Sequence, residues 1–137
     1  MKFVIDTNIF LSALIKDGLT REIIINSPFR LFIPEQEIIE IKRYEELILC
    51  KSKINKEDLR DLIRKLLKYI TIIRNEDITK YKCKAEEIMG KIDYDDVPFV
   101  ATALFLNCPI WSEDKHFRKQ NEIKILKTKD IINLYSK

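Results

Sequence analysis

The fold is decided by the stretch Met1–Leu14, which reads MKFVIDTNIFLSAL. Residues Phe3–Ile5 are β-branched or aromatic with no polar interruption, which is typical of a strand buried on both faces of a parallel sheet. Asp6 follows at the carboxyl end of this strand, and Thr7 or Asn8 is predicted to cap the helix that comes next. In open α/β sheets ligands bind in the crevice outside the carboxyl ends of the strands, so Asp6 is a candidate site residue as well as a structural one.

Length and composition indicate an ordinary soluble protein. The chain has 137 residues, 46% of them hydrophobic and 34% charged, so residues 1–137 are expected to form a single domain with a real core. The net charge of +3, from 25 basic and 22 acidic residues, permits binding to a polyanion without arguing for it. No apolar run approaches a membrane span, so no membrane partner is expected. With Gly18 and Gly90 as the only glycines, neither a P-loop nor a dinucleotide-binding loop can be built.

The three cysteines exclude two classes of site. Cys50, Cys83 and Cys108 are odd in number and form no Cys-x-x-Cys pair, which argues against a disulfide framework and a thiolate zinc site. This usage fits a reducing cytoplasm, which is the expected location. The cysteines themselves are predicted to be small buried hydrophobes.

Strands and helices alternate along the chain. The predicted strands are Phe3–Ile5, Leu31–Ile33, Ile70–Ile73, Pro109–Ser112 and Ile123–Leu126. Two of the intervening segments, Glu35–Leu49 and Ile78–Met89, are each predicted to be one helix, and Gly18 suits a left-handed cap after the first helix. Strands separated by helices imply right-handed crossovers and a parallel sheet that is covered by helices on both faces.

Acidic residues follow the second strand. A helical wheel of this segment puts Ile41, Tyr44 and Ile48 on one face, with Glu37 and Glu40 inside or beside it. A carboxylate that points inward needs a partner. The wheel does not separate Glu37 from Glu40.

A second group of acids precedes the helix before the fourth strand. Pro98 lacks an N–H and is tolerated only in a first turn, so the helix is expected to begin after Asp93. Asp95 is then predicted to be the N-cap, with Asp96 in the first turn. Capping and the helix dipole would explain both of these acids without any catalytic role.

The acids become informative when they are taken together. Glu113 and Asp114 follow the fourth strand, where a solvated loop is the structural explanation, but the acids after three strands converge on one edge of a parallel sheet. Two carboxylates about 4 Å apart repel by roughly 4 kcal/mol at an effective dielectric of about 20. A cluster therefore needs protons or a cation, and Mg²⁺ or Mn²⁺ binds carboxylate and water oxygens without any histidine or thiolate. Such a site activates water and stabilises the charge that develops on a phosphate.

Several motifs together resemble the PIN-domain nucleases, a family that includes the toxin ribonucleases of VapBC-type toxin-antitoxin pairs. The motifs are Asp6–Phe10, Pro34 followed six residues later by Glu40, Asp96–Leu104 and Trp111–Phe117. The resemblance covers essentially the whole chain.

The resemblance implies a three-layer α/β/α sandwich with a mainly parallel sheet, and a metal-dependent endoribonuclease that hydrolyses RNA phosphodiester bonds. It implies that the metal-binding and catalytic carboxylates are those of Asp6, Glu40, Asp96 and Asp114. The cofactor would be Mg²⁺ or Mn²⁺, and Asn8, Ser112 and Asp95 would orient the acids. Only the resemblance favours Glu40 over Glu37. The expected partners are an RNA substrate, a small antitoxin protein and, as an option, a second copy of the chain.

Two other classes of function share features with this sequence. A phosphatase of the haloacid-dehalogenase type also begins with an Asp after the first strand, but it needs a second Asp at the position that Asn8 occupies here. A catalytically silent module that binds RNA or protein would be indicated by a missing carboxylate, and none of the four is missing.

Three further features have competing interpretations. His116, the only histidine, could contact a phosphate or assist proton transfer, although a solvated loop position is the simpler interpretation. Trp111 and Phe117 could stack on a base, but their position in and beside a strand favours burial. The basic residues from Lys51 to Lys68 could form an RNA or partner surface, and are more simply the solvent-exposed face of an amphipathic helix.

Overall fold

The core of the protein is one parallel sheet, as seen in a computed structural model that describes residues 1–137. Its strands are β1 (Lys2–Ile5), β2 (Arg30–Pro34), β3 (Ile70–Ile73), β4 (Ile110–Trp111) and β5 (Ile125–Leu126). They are arranged in the order β3-β2-β1-β4-β5, and all neighbours are parallel. The predicted five-stranded parallel sheet is therefore confirmed, with β4 and β5 each shorter than the apolar runs suggested.

Strand β1 lies at the centre of the sheet. Val4 is opposite Phe32 of β2 on one side and Ile110 of β4 on the other. Val4 and Ile5 are completely buried, which is the burial that the uninterrupted apolar run predicts. Asp6 continues the ladder through its backbone, because its N–H donates to the carbonyl of Trp111 at 3.1 Å.

Nine α-helices cover the sheet: α1 (Thr7–Ile15), α2 (Leu19–Asn26), α3 (Gln36–Arg43), α4 (Glu45–Ser52), α5 (Lys56–Leu67), α6 (Asn75–Ile78), α7 (Lys82–Met89), α8 (Val97–Leu106) and α9 (Thr128–Tyr135). The connections from β1 to β2 and from β2 to β3 run in one direction across the sheet, and the connection from β3 to β4 returns in the other direction. Since crossovers are right-handed, the helices of the first two connections cover one face and α6 to α8 cover the opposite face. This arrangement is the expected α/β/α sandwich.

Two helices predicted to be continuous are interrupted. Glu35–Leu49 contains α3 and α4, which meet at Tyr44, where φ is −88° and ψ is 2°. The bend lets Ile41 of α3 and Ile48 of α4 both reach the core. Ile78–Met89 similarly contains the end of α6, a 3₁₀ turn and α7.

The caps of the first two helices differ from the prediction. Neither Thr7 nor Asn8 caps α1, because Asp6 is the N-cap and its carboxylate accepts the Asn8 N–H at 3.4 Å. Gly18 has a φ of −135°, which is not left-handed, and it precedes α2 as its N-cap. Helix α1 ends with Lys16 in an extended conformation and so needs no left-handed residue.

Burial confirms the prediction for two aromatic residues and contradicts it for the cysteines. Trp111 and Phe117 are fully buried. Cys50 and Cys83 are exposed and Cys108 is half-buried, because Cys50 on α4 and Cys83 on α7 lie on helix faces turned away from the core. No helix combines the length and the apolar character that crossing a membrane requires.

Candidate active site

The sheet has a single switch point, between β1 and β4, where successive connections leave in opposite directions. A crevice opens at the carboxyl ends of strands at such a point and is the usual ligand site of this class of fold. Asp6 follows β1 and Asp114 follows β4 closely, so the topology brings these two acids to the crevice. A cleft of about 390 Å³ lies here, within the size range of small-molecule sites.

Ser112 connects the acids that follow the two central strands. Its hydroxyl donates to Oδ2 of Asp6 at 2.7 Å and accepts the backbone N–H of Asp114 at 2.9 Å. Ser112 is fully buried beneath the cleft. Because its hydroxyl is committed on both sides, Ser112 fixes the orientation of the Asp6 carboxylate and the start of the Asp114 loop.

The start of α8 brings a second group of acids to the cleft, with caps that differ from those predicted. Asp95 was expected to be the N-cap, but the side chain of Asp93 caps a 3₁₀ turn at Tyr94–Asp96 by accepting the Asp95 N–H at 3.1 Å. Asp96 then occupies the N-cap position of α8 without any capping bond from its side chain. The 3₁₀ turn allows the chain to begin winding earlier than Pro98 allows for an α-helix.

Asp96 is the most unusual acid of the site. Only 8% of it is exposed, and its Oδ2 atom is buried without a hydrogen-bond partner. Burial, followed by the charges of Asp93, Asp6 and Asp114, raises the pKa of Asp96 to about 8. A buried carboxylate oxygen with no donor is costly, so this atom is suited to a cation or a proton.

Helix α3 brings two glutamates to the same cleft, and they have different environments. Glu37 is buried and accepts the Thr7 hydroxyl at 3.0 Å. Burial is the largest cause that raises the pKa of Glu37 to about 6, and the charges of Glu40 and Asp6 add to it. Glu40 is partly exposed and pairs with Arg43 at 2.9 Å. Both glutamates line the cleft, so position alone leaves the choice between them open.

The carboxylate of Asp6 is buried and electrostatically strained. Burial raises its pKa and the charge of Asp114 adds to this, against the lowering effect of the bonds from Ser112 and the Asn8 N–H. The site therefore stores repulsion of the kind that a divalent cation relieves.

His116, for which the sequence favours a solvated loop position, and Asp93, which the sequence does not single out, both lie beside the acids of the site. The imidazole Nδ1 lies 3.4 Å from Oδ2 of Asp93 and 3.3 Å from Oδ1 of Asp114. One ligand atom from each of Asp93, Asp96, Asp114 and His116 lies within 4.8 Å of all the others. The Asp-x-Asp spacing of Asp93 and Asp95, which favours a side-chain-capped turn, is the sequence signal that could have identified Asp93.

The rim of the cleft contains Tyr44, which the helical wheel placed on the face with Ile41 and Ile48, and Tyr94 and Lys82, which the sequence did not single out. Tyr44, at the junction of α3 and α4, is 40% exposed, and Tyr94 is 59% exposed. Lys82, at the start of α7, is the only basic residue among the 15 that line the cleft, and it forms no salt bridge. An unpaired cation and two exposed aromatic rings thus surround a floor of carboxylates.

The structure brings together the acids expected from the sequence. The residues that line the cleft include Asp6, Glu40, Asp96 and Asp114, together with Asn8 and Asp95. Glu113 turns away from it, because its carboxylate accepts the Thr128 N–H at 2.6 Å at the start of α9. Glu113 is therefore an exposed loop residue, as expected, whose carboxylate also caps the start of α9.

Fold and cleft together define a class: a parallel α/β/α protein with a carboxylate-rich site at the switch point of its sheet. A sequence model of the PIN domain family matches residues 4–134, and the chain therefore belongs to the PIN domain family. The members of this family are typically nucleases, so membership supports hydrolysis of nucleic acid.

One solved structure illustrates the shared fold. The chain resembles a chain in the crystal structure of VapBC2 from Rickettsia felis bound to a DNA fragment from their promoter, with a TM-score of 0.68 and 17% identity. The match covers 93% of this chain and 98% of that chain. No curated protein shows significant sequence similarity to the chain.

Proposed function

We propose that this protein is a metal-dependent endoribonuclease that uses the carboxylates of Asp6, Glu40, Asp96 and Asp114, and that it is the toxin of a toxin-antitoxin pair. The observation that carries the proposal is the buried Oδ2 atom of Asp96, which has no hydrogen-bond partner in a cleft that several acids share. Membership of the PIN domain family and the position of the cleft at the switch point support the same conclusion.

The donor set fits a hard divalent cation. Mg²⁺ and Mn²⁺ prefer carboxylate oxygens, and the cleft offers several with little competing positive charge. When bound, the cation lowers the pKa of a water molecule and stabilises charge that develops on the phosphate. Asp6, Asp96, Asp114 and Glu40 would hold it.

The other polar groups of the cleft support these acids. Ser112 fixes the rotamer of Asp6 through its 2.7 Å hydrogen bond. The Asn8 N–H contacts the other oxygen of the same carboxylate, and Asn8 and Asp95 line the cleft. The hydroxyl of Thr7 holds Glu37 against α1 at 3.0 Å, which fixes α3 and so the position of Glu40 one turn later.

The rim supports a single-stranded polynucleotide as the substrate. Proteins that bind single strands combine basic groups for the backbone with aromatic rings on which bases stack. Lys82 provides an unpaired charge, while Tyr44 and Tyr94 provide exposed rings on the same cleft. The Tyr94 hydroxyl donates to Glu86 at 3.2 Å, so its ring is already held in place before a base arrives.

The toxin role is supported by the fold alone. One chain in the VapBC2 structure from Rickettsia felis shares the fold of this protein over almost its whole length. A small antitoxin protein is therefore the proposed partner.

The test of the proposal is the Asp6→Asn variant. It preserves shape and removes one charge, so cleavage of a mixed single-stranded RNA pool with Mn²⁺ should collapse while the protein stays folded. A control, Glu87→Gln, removes one charge from an exposed residue whose nearest basic partner, Lys84, is 3.9 Å away.

Two results would contradict the proposal. Equal RNA cleavage by the wild type and Asp6→Asn would mean that Asp6 is only a helix cap. Absence of any metal-dependent cleavage by the wild type would indicate a silent binding module.

A further inference from the structure

We propose that Asp93, Asp96, Asp114 and His116 form a binding position for a divalent transition-metal ion, with the imidazole of His116 as a nitrogen ligand. The inference rests on the proposed function, because Asp96 and Asp114 belong to the proposed carboxylate centre. Asp93 and His116 add two further ligand groups to this centre.

The spacing of the four ligand atoms suits one ion. All of them lie within 4.8 Å of one another. In a tetrahedral site with bonds of about 2.1 Å the ligand atoms are about 3.4 Å apart, so the most widely spaced pair must approach by at most about 1.4 Å to close around the ion. Asp93, Asp114 and His116 are partly exposed, which leaves a path for the ion to enter.

Two capped turns hold the ligands in place before any ion binds. Asp93 caps the 3₁₀ turn that leads to Asp96. Asp114 caps the 3₁₀ turn Lys115–Lys119 by accepting the His116 N–H at 2.9 Å. The imidazole Nδ1 is thereby held between two carboxylates at 3.3 and 3.4 Å, longer than the roughly 2.8 Å of a charge-assisted hydrogen bond.

A second observation points to a ligand at this position. Asp96 is more than nine-tenths buried, and its Oδ2 atom has no hydrogen-bond partner. By contrast, Asp6 is bonded to Ser112 and the Asn8 N–H, and Glu40 is paired with Arg43. The acid that lacks a partner is the one that lies beside His116.

The nitrogen ligand determines which metals are favoured. Carboxylates alone suit Mg²⁺, whereas imidazole suits zinc and other first-row transition ions, which also bind more tightly to most mixed sites. The sequence argument needed no histidine for the metal centre, but the structure brings the only one to it. The proposed position should therefore prefer Zn²⁺ or Co²⁺ to Mg²⁺.

The first experiment observes His116 directly. Because His116 is the only histidine, its imidazole signals in the NMR spectrum of the full chain are unambiguous. Titration with diamagnetic Zn²⁺ should shift these signals strongly at one equivalent, and the same concentration of Mg²⁺ should leave them nearly unchanged. An imidazole signal that does not respond to Zn²⁺ would overturn the proposal.

The second experiment measures affinity by calorimetry. His116→Gln and Asp93→Asn should each weaken Zn²⁺ binding by at least about tenfold, and His116→Gln should change Mg²⁺ binding by less than about twofold. Glu87→Gln, the matched control for loss of charge, should bind both metals like the wild type. Equal weakening of Zn²⁺ and Mg²⁺ by His116→Gln would also overturn the proposal, since it would show a general effect on the cleft.

The failures of the two proposals are distinguishable. A protein that shifts its His116 signals with Zn²⁺ but cleaves no RNA would support this metal position and refute the ribonuclease. A protein that cleaves RNA but whose His116 signals do not respond to Zn²⁺ would support the ribonuclease and refute the proposed metal position.

Discussion

Replacing Asp96 with Asn should stabilise the metal-free protein, in a way that depends on pH. The carboxyl of Asp96 has a pKa of about 8 in the folded chain and 3.8 as its ordinary value. At a pH between these two pKa values, the folded state keeps a proton that the unfolded state has lost. The contribution of Asp96 to the free energy of unfolding therefore becomes steadily less favourable as pH rises. Asn carries no charge in either state and removes this dependence.

The magnitude follows from the two pKa values. At about pH 7 the pH is about 3 units above the ordinary pKa of Asp96. Each unit lowers the free energy of unfolding by about 1.4 kcal/mol, so the wild type loses up to about 4 kcal/mol. Neighbouring acids relax when one is removed, so we expect a gain of about 2 to 4 kcal/mol for Asp96→Asn. At about pH 4 the carboxyl of Asp96 is neutral in the folded state and only about half ionised in the unfolded state, so the gain should fall to about 0.5 kcal/mol.

Urea unfolding in EDTA at several pH values measures this gain. The control Glu87→Gln should differ from the wild type by less than about 0.5 kcal/mol at every pH, because the residue is exposed. A gain for Asp96→Asn that does not change with pH, or a loss at about pH 7, would refute the reasoning. Saturating Mn²⁺ should make the wild type more stable than Asp96→Asn, since the cation stabilises only the chain that keeps its ligand.

Three further predictions concern the surroundings of this acid. Ser112→Ala removes the hydroxyl between Asp6 and Asp114, so it should destabilise the protein by about 1 to 3 kcal/mol and weaken Mn²⁺ binding, as denaturation and calorimetry would measure. Glu113→Ala should cost about 1 kcal/mol through loss of its bond to the Thr128 N–H without reducing RNA cleavage, and a loss of activity would contradict its capping role. Mg²⁺ or Mn²⁺ should raise the melting temperature of the wild type relative to EDTA, and an unchanged melting temperature would contradict the metal centre.

Hydrophobic patterning was sufficient to predict the sheet. Strand β1 is buried on both faces, so its sequence is a continuous apolar run that has few alternative interpretations. The position of Asp6 after this strand then follows from topology, as does its approach to Asp114. These features depend on elements that are long or fully buried.

The parts that the sequence did not predict depend on local geometry. The bend at Tyr44 is set by the packing of α3 and α4 on the core, and no glycine or proline marks it. The capping role of Asp93 was missed because Pro98 limits only an α-helix, whereas a 3₁₀ turn precedes it. His116 approaches Asp93 through the tertiary structure alone, since the two residues belong to different connections.

The central place of β1 has a consequence for biosynthesis. Strand β1 leaves the ribosome before both of its neighbours in the sheet, β2 and β4, and its Val4 pairs with Ile110 of β4. Asp6 and Ser112, which touch across the site, are 106 residues apart in the chain. A nascent chain therefore cannot bring Asp6 and Ser112 together until β4 has emerged, so shorter nascent chains lack the complete cleft.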